Sequence, residues 1–312
     1  MKILIELPTW LGDTVMTTPA IENLVNFFND SKITIIGSFI ATEALKNHPK
    51  VVNTYVLDKK YCNLYKTSKS LGKFDAFFSF RSSWRSKILK FFIKSSNKYQ
   101  FSKNTYKNVH QVEKYNNFIN NSLGQNFVAG SLKLYKKTSS EIDDSKQIVG
   151  INPGASYGNA KMWSPKKYAK VAERLSDKYE IIIFGGQNDK GFALEIERLL
   201  IKNNILNFQN LAGQTSIEQL INIISTLDLF ITGDSGPMHL AACFQIPTVA
   251  LFGPTRPDET SQWLNDNNIV IKKNLECQPC MERECPLKHN DCMRLIDSED
   301  VLNAAEKLNK LF

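Results

Sequence analysis

The strongest chemical signal in this 312-residue chain is the segment ITGDSGPMHLAACFQIPTVALFGPT at residues 231–255. An apolar run ends at Gly233, and Asp234 and Ser235 can cap a helix that follows it. Pro237 suits the first turn of that helix. Free N–H groups and a positive dipole end at the start of a helix attract anions, so this junction predicts a phosphate or diphosphate site.

Two side chains of this segment have both a functional and a structural interpretation. His239 lies one turn into the predicted helix, where it can point back toward a phosphate or be satisfied in packing. Asp234 can accept hydrogen bonds from sugar hydroxyls beside the diphosphate, or it can simply cap the helix. The residue types leave both alternatives open at each position.

A second junction of this kind is GINPGASYGNAKMWSP at residues 150–165. Gly154, Ala155 and Ser156 follow an apolar run and can offer backbone and hydroxyl donors to an anion. Lys161 could neutralise a departing diphosphate, an electrostatic task that dominates many group transfers, although a lone loop lysine is more often only solvated.

A third turn, FGGQNDKG at residues 184–191, follows the next apolar run. Gly185, Gly186 and Asp189 could line a nucleoside pocket there, or they could form an ordinary turn.

Asp13 is a single carboxylate in TWLGDTVMTTPA, directly after the strand-like run KILIELP. Transfer of a sugar with inversion needs a base that takes the proton of the acceptor hydroxyl, and Asp13 fits that role. Asp13 could also cap the helix that begins there, and the two roles do not exclude each other.

Three familiar nucleotide-binding patterns are missing. No G-x-G-x-x-G follows the first strand, and neither a Walker-type G-K-[ST] loop nor a D-x-D pair occurs in the chain. These absences argue against a dehydrogenase and a P-loop NTPase. A leaving nucleoside diphosphate would have to be stabilised by lysine and helix N–H groups.

The formal net charge is +8, and the stretch from Ala76 to Val112 contains no acidic residue. The basic residues of this stretch are Arg81, Arg85, Lys87, Lys90, Lys94, Lys98, Lys103 and Lys107. A local field of one sign attracts phosphates, carboxylates or an anionic membrane face, whereas the structural alternative is a solvated helix face.

Four of the six cysteines cluster in ECQPCMERECPLKHNDCM, at Cys277, Cys280, Cys285 and Cys292. The first two have the C-x-x-C spacing of zinc ligands, but the remaining gaps match no common finger. The segment is therefore compatible with a structural zinc site or with a thiol-rich loop whose turns are fixed by proline.

The elements that must position these residues follow an α/β rhythm. Short apolar runs alternate with helical patterns, including one from about Thr14 to Asn29, and a polar stretch near Lys146 interrupts the alternation. We expect two doubly wound domains, 1–146 and 147–312, that bind ligands in a shared cleft at the carboxyl ends of their strands. No apolar stretch approaches the ~20 residues of a membrane span and no signal pattern opens the chain, so a cytoplasmic protein is expected.

The motifs LPTWLGDTVMTTPA, NPGASYGNAKMW, TGDSGPMHLAAC and VALFGPTRPDETSQW, followed by ECPLKHNDC, resemble the bacterial ADP-heptose:lipopolysaccharide heptosyltransferases of glycosyltransferase family 9. They lie in family order across nearly the whole chain. The cysteine-containing segment resembles most closely the heptosyltransferase II branch, which adds the second heptose to the inner core.

The resemblance implies a GT-B fold, in which two Rossmann-like domains face a central cleft. It implies inverting, metal-independent transfer, without a cofactor, from an ADP-heptose donor to heptosyl-Kdo-lipid A. Asp13 matches the proposed general base, and Lys161 matches the lysine that faces the donor phosphates. The other donor-binding positions implied are Gly154, Ser156, Gly186, Asp189, Asp234, Ser235, Gly236 and His239.

The resemblance also assigns the acceptor to domain 1–146 and the donor to domain 147–312. Gly12, Arg81 and Arg85 are the expected acceptor-binding residues, since guanidinium groups match phosphates and Kdo carboxylates with two parallel hydrogen bonds. Lys90, Lys94 and Lys98 are expected to form a stripe toward the anionic inner membrane, on its cytoplasmic face.

Three alternatives remain at this point. Heptosyltransferase I shares most of the motifs, and another nucleotide-sugar transferase of the same fold could act on capsule or glycan. A nucleic-acid-binding protein with a zinc cluster would explain the basic stretch, but it leaves both phosphate junctions unexplained and has no recognised motif. No nucleic-acid partner is therefore expected.

Overall fold

The computed structural model describes residues 1–58, 62–136, 147–154 and 157–309. The chain divides into two compact units, Met1–Lys137 and Thr138–Phe312. The domain boundary predicted at Lys146 lies outside the described residues. None of the described helices is both long and apolar enough to cross a bilayer.

The first unit is built on a five-stranded sheet of order β3-β2-β1-β4-β5, in which all neighbouring strands are parallel. Its strands are β1 Lys2–Glu6, β2 Lys32–Gly37, β3 Val51–Val56, β4 Lys73–Ser79 and β5 Lys94–Gln100. The central strand β1 reads KILIE because both of its faces are covered, and its three middle side chains are completely buried.

The described helices of the first unit connect and cover these strands. They are α1 Leu11–Met16, α2 Thr18–Phe27, α3 Phe39–Leu45, α4 Cys62–Ser70, α5 Trp84–Phe92 and α6 Gln111–Leu123.

The sequence predicts a single helix from about Thr14 to Asn29, but the structure has two helices here, α1 and α2. Pro19 lies in the first turn of α2, where its missing N–H cannot continue the hydrogen bonds of α1. Thr17 and Thr18 donate their hydroxyls to the carbonyls of Thr14 and Val15 at 2.6 and 2.8 Å, which satisfies backbone groups at the junction.

The second unit contains a six-stranded parallel sheet of order β11-β10-β9-β6-β7-β8. Its strands are β6 Ile148–Asn152, β7 Glu180–Ile183, β8 Phe208–Asn210, β9 Leu229–Gly233, β10 Thr248–Phe252 and β11 Asn268–Lys272. Its described α-helices are α7 Pro165–Leu175, α8 Lys190–Lys202, α9 Ile217–Ile224, α10 Gly236–Cys243, α11 Pro257–Thr260, α12 Asp291–Arg294 and α13 Ser298–Asn309. Two single 3₁₀ turns, Asn159–Lys161 and Gln187–Asp189, follow β6 and β7.

Each sheet has a topological switch point. In the first unit, β1 lies between β2 and β4, so the chain leaves β1 toward one edge and later returns to its other side. In the second unit, β6 lies between β7 and β9 in the same way. Ligands of open α/β sheets bind outside the carboxyl ends of the strands at such a point. The residues after β1, β4, β6 and β9 are therefore the candidates for the functional site.

Candidate functional site

In the first unit, Asp13 follows β1 and lies in the first turn of α1. The N-cap residue of this helix is Trp10, so capping by Asp13 does not explain the carboxylate. Tyr115, on α6, donates its hydroxyl to Asp13 Oδ1 at 3.3 Å. Burial, together with the negative charge of Asp13, raises the pKa of Tyr115 well above 10, so the phenol stays protonated and acts as a donor.

A buried carboxylate lies beside the predicted acceptor arginines. Glu6, the last residue of β1, is completely buried and accepts hydrogen bonds from Ser79 Oγ at 2.6 Å and Ser86 Oγ at 2.8 Å. Arg81 Nε lies 3.9 Å from Glu6 Oε1. Burial raises the pKa of Glu6, while the two hydroxyls and the charges of Arg81 and Arg85 act in the opposite direction.

The other two predicted acceptor residues are Arg85 and Gly12. Arg85, in the first turn of α5, donates from Nη2 to the carbonyl oxygen of Asp58. Gly12 is buried in α1, next to Asp13. The structure therefore brings Arg81 and Arg85 to one buried carboxylate at the end of β1 and β4, the two strands that flank the switch point.

The three lysines of the predicted membrane stripe do not share one helix. Helix α5 ends at Phe92, and β5 begins at Lys94, so Lys90 is helical while Lys94 and Lys98 belong to the edge strand β5. Two large apolar side chains of α5 accompany these lysines at the surface, since Trp84 is 70% and Phe91 is 79% exposed.

In the second unit, the residues after β6 and β9 meet directly. Lys161 Nζ forms an ion pair with Asp234 Oδ2 at 2.5 Å, and the two side chains are only 10% and 8% exposed. Thr255, after β10, donates its hydroxyl to the same carboxylate oxygen at 2.6 Å. Lys161 also donates to the Asp234 carbonyl at 3.2 Å, which fixes the ammonium at the switch point.

The start of α10 differs from the expected cap. Ser235 is the N-cap residue, but its hydroxyl makes no capping hydrogen bond, because it bonds to Asn152 Nδ2 at 3.1 Å and to Thr232 Oγ1 at 3.0 Å. Ser235 therefore holds the N-cap position, as predicted, but it does not cap the helix through its side chain. Gly236 is the first helical residue, followed by the proline expected in the first turn.

His239 lies inside α10 and is 3% exposed. This burial fits the packing interpretation of the histidine, whereas its predicted role toward a donor phosphate stays a prediction.

Three of the residues predicted in the loops after β6 and β7 form a compact group. Asp189 Oδ2 accepts a hydrogen bond from the N–H of Gly186 at 2.8 Å, which closes the 3₁₀ turn after β7. A Cβ atom on Gly154 would overlap the Asp189 carboxylate, so glycine is needed for this close approach. Ser156 and the preceding alanine lie outside the described residues.

The four clustered cysteines are free thiols, and they lie near one another. Burial and the charges of Cys280, Cys285 and Cys277 raise the pKa of Cys292 to about 11. Backbone N–H groups, first that of Asn290, lower the pKa of Cys285. Within the described residues, no group of three or more His, Cys, Asp or Glu is arranged to hold a metal ion, and the structural zinc site stays a prediction.

Sequence reasoning did not find Glu6, Tyr115 or Thr255. Glu6 had a usable signal, since a charged residue at the end of an otherwise apolar central strand must find polar partners when it is buried. Thr255 also had one, since it follows the apolar run TVALF and a Gly-Pro turn. Tyr115 had none, because only the tertiary fold joins it to Asp13, across 102 residues.

Comparison with known proteins adds to this geometry. Residues 65–290 match the family model of glycosyltransferase family 9 (heptosyltransferase). Lipooligosaccharide heptosyltransferase 2 of Campylobacter jejuni serotype O:2 is 42% identical over 319 aligned residues, which cover 99% of this chain and 99% of that protein.

Solved structures match along nearly the whole chain as well. E. coli ADP-heptose lps heptosyltransferase II has a TM-score of 0.81 at 22% identity, covering 99% of this chain and 98% of that structure. E. coli heptosyltransferase WaaC with ADP has a TM-score of 0.76 at 14% identity, covering 99% and 100%. The predicted GT-B fold class, with two doubly wound α/β units, is confirmed.

Proposed function

The chain belongs to glycosyltransferase family 9, the heptosyltransferases, and we propose that it transfers heptose from ADP-heptose to the heptosyl-Kdo-lipid A inner core. The observation that carries this proposal is the full-length similarity to a lipooligosaccharide heptosyltransferase 2 at 42% identity. That similarity favours addition of the second heptose over addition of the first.

The second unit provides the groups for a nucleoside diphosphate donor. Lys161 and the N-terminal end of α10 lie at the switch point of its sheet and can stabilise the diphosphate as it leaves. Asp234 is held by Thr255 as well as by Lys161, so the carboxylate keeps a hydrogen-bond partner when the ammonium turns to a phosphate. The choice of ADP is supported by the E. coli heptosyltransferase WaaC with ADP, which shares the fold.

The first unit provides the base. Asp13 takes the proton of the acceptor hydroxyl while that oxygen forms the new bond to the anomeric carbon. The bond from this carbon to the diphosphate oxygen breaks on the opposite side, ADP leaves with the electron pair, and the configuration inverts. Tyr115 keeps the carboxylate oriented through its hydrogen bond to Oδ1. No metal takes part in this scheme, because Lys161 and the N–H groups of α10 stabilise the negative charge of the leaving diphosphate.

The acceptor binds to Arg81, Arg85 and Gly12 in this proposal. Its phosphates and Kdo carboxylates suit the guanidinium groups of Arg81 and Arg85, whose charges act on the buried Glu6 at the end of β1. The acceptor's lipid places the enzyme at the cytoplasmic face of the inner membrane, where the basic stretch after β4 meets anionic headgroups.

Thermal unfolding with different nucleotides tests the donor part of the proposal. A ligand that binds only the folded chain raises its melting temperature with occupancy, so ADP should raise it more than UDP or GDP at the same concentration. The effect should persist in excess EDTA. A larger shift with UDP or GDP would point to another nucleotide-sugar transferase of this fold, and a loss of the ADP shift in EDTA would contradict metal independence.

A further inference from the structure

The cysteine-containing segment is bonded to the loop after β10. Met281 donates its backbone N–H to the Pro254 carbonyl at 2.9 Å, and Gln278 donates its side-chain amide to the Gly253 carbonyl at 2.7 Å. Gly253 and Pro254 directly follow β10 and directly precede Thr255. Thr255 donates its hydroxyl to the Asp234 carboxylate. The segment therefore lies against one of the strand ends that build the proposed donor site.

The same segment is bonded to the loop after β6 that carries Lys161. Tyr157 donates its hydroxyl to the Met281 carbonyl at 2.5 Å, and Ala160 donates its N–H to the Arg283 carbonyl at 3.0 Å. A Cβ atom on Gly158 would overlap this carbonyl, so the two backbones approach as closely as glycine permits. These contacts fix the backbone of Arg283 against the 3₁₀ turn that contains Lys161.

The side chains of Arg283 and Lys161 share one aromatic ring. Lys161 Nζ lies 4.6 Å and Arg283 Cζ lies 5.5 Å from the centroid of the Tyr157 ring, both within the range of a cation–π interaction. Lys161 is nearly buried, whereas Arg283 is exposed and can reach a ligand from solvent. Tyr157 thus brings two cations to the same strand end.

The charge balance explains why a second cation is needed. Lys161 is paired with Asp234, so the pair carries no net charge toward a ligand with two or three negative charges. An arginine can bind phosphate oxygens with two parallel hydrogen bonds, which a lysine cannot. Arg283 adds both the missing charge and this geometry.

We propose that Arg283 binds the diphosphate of the donor together with Lys161, and that the cysteine-containing segment serves the donor site by positioning this arginine. The inference rests on the proposed function, in which the donor is a nucleoside diphosphate sugar. When the bond from the anomeric carbon to the diphosphate oxygen breaks, Arg283 stabilises the negative charge that stays on the terminal phosphate of the nucleotide.

Isothermal titration of ADP and AMP into the full-length chain tests this role. Arg283→Gln should weaken ADP binding about tenfold, or ~1.4 kcal/mol, and AMP binding by less than about threefold, because AMP lacks the terminal phosphate. Arg283→Lys keeps the charge without the planar fork and should fall between the wild type and Arg283→Gln. Lys288→Gln is the matched control, since it removes one positive charge from the same segment and should bind ADP as the wild type does.

Each result decides a different claim. Equal ADP affinity in the wild type and Arg283→Gln would overturn this inference while leaving the proposed function intact. An equal loss of ADP and AMP affinity in Arg283→Gln would also overturn it, because it would indicate a disturbed fold of the loop. No binding of ADP to the wild type would contradict the proposed donor itself.

Discussion

Asp13 is the residue whose substitution tests the proposed base most directly. Asparagine keeps an oxygen that can accept the Tyr115 hydrogen bond, but it cannot take a proton. We therefore expect Asp13→Asn to lower kcat by about a hundredfold to ten-thousandfold with the KM for the donor nearly unchanged, measured by release of ADP from ADP-heptose.

Tyr115→Phe is the matched control for this prediction. It removes only the 3.3 Å hydrogen bond and leaves the Asp13 carboxylate in place, so its kcat should fall less than that of Asp13→Asn. Near-normal turnover in Asp13→Asn would remove the base assignment.

Glu6 gives a prediction about pH. Burial raises the pKa of Glu6 above 4.5 in the folded chain. At a pH just above 4.5, the folded chain therefore keeps a proton on Glu6 that the unfolded chain has already released. Between pH 4.5 and the raised pKa, the free energy of unfolding of the wild type should therefore fall as the pH rises. Glu6→Gln cannot ionise and should lack this slope, which urea unfolding of both chains at a series of pH values measures. Parallel curves for the two chains would contradict the raised pKa.

The residues found from sequence share one property. Asp13, Lys161 and Asp234 all follow apolar runs that end in turn residues, and a parallel sheet brings the ends of its strands together at one edge. The hydrogen-bond partner of Asp13 could not be found this way. Tyr115 lies within a helix far along the chain, and nothing in its local sequence connects it with Asp13.

At the scale of the elements, β6 is the strand on which the donor site of the second unit depends. A Cβ atom on Gly150 would lie 2.5 Å from Leu227 Cδ1 and 2.8 Å from Phe230 Cδ2, so Gly150→Ala must displace packed side chains. We expect a loss of about 1–3 kcal/mol in the free energy of unfolding, measured with urea.

Gly191→Ala is the control for Gly150→Ala. Gly191 lies in α8, and a Cβ atom there would meet nothing within 4 Å. This substitution should be neutral or stabilising by up to about 1 kcal/mol, because alanine favours the helix. Equal effects of the two substitutions would contradict the tight packing around β6.

Periodicity predicted the alternation of strands and helices, but it did not predict where two neighbouring elements are divided. The apolar pattern of the first helix continues through Thr17, although the helix is divided there and Pro19 begins a second helix, α2. In the basic stretch, a spacing of four between Lys90 and Lys94 fits a helix, yet β5 begins at Lys94 because its backbone pairs with β4. Strand pairing of this kind is a long-range property that a local pattern does not contain.

At the scale of the whole molecule, the surface of α5 predicts contact with an anionic membrane. Trp84 and Phe91 are exposed and suit the membrane interface, and Lys87 lies 5.5 Å from the Trp84 ring centroid. The chain should sediment with vesicles that contain phosphatidylglycerol, bind less at high salt, and bind pure phosphatidylcholine vesicles weakly.

The matched variants for this surface are Phe91→Ala and Leu206→Ala. Both remove an exposed apolar side chain, but Leu206 lies in the second unit, away from α5 in the sequence. Phe91→Ala should weaken sedimentation with anionic vesicles, and Leu206→Ala should not. Equal sedimentation of the wild type and Phe91→Ala would contradict a membrane role for α5.

The central claim is that this heptosyltransferase-family chain adds the second heptose from ADP-heptose. The measurement that tests it most directly is release of ADP from ADP-heptose in the presence of EDTA, with Kdo2-lipid A that bears or lacks one heptose as the acceptor. We predict ADP release with the acceptor that bears one heptose and none with the heptose-free acceptor. Release with the heptose-free acceptor would make the enzyme the first transferase, and no release with either acceptor would contradict the proposed donor and acceptor pair.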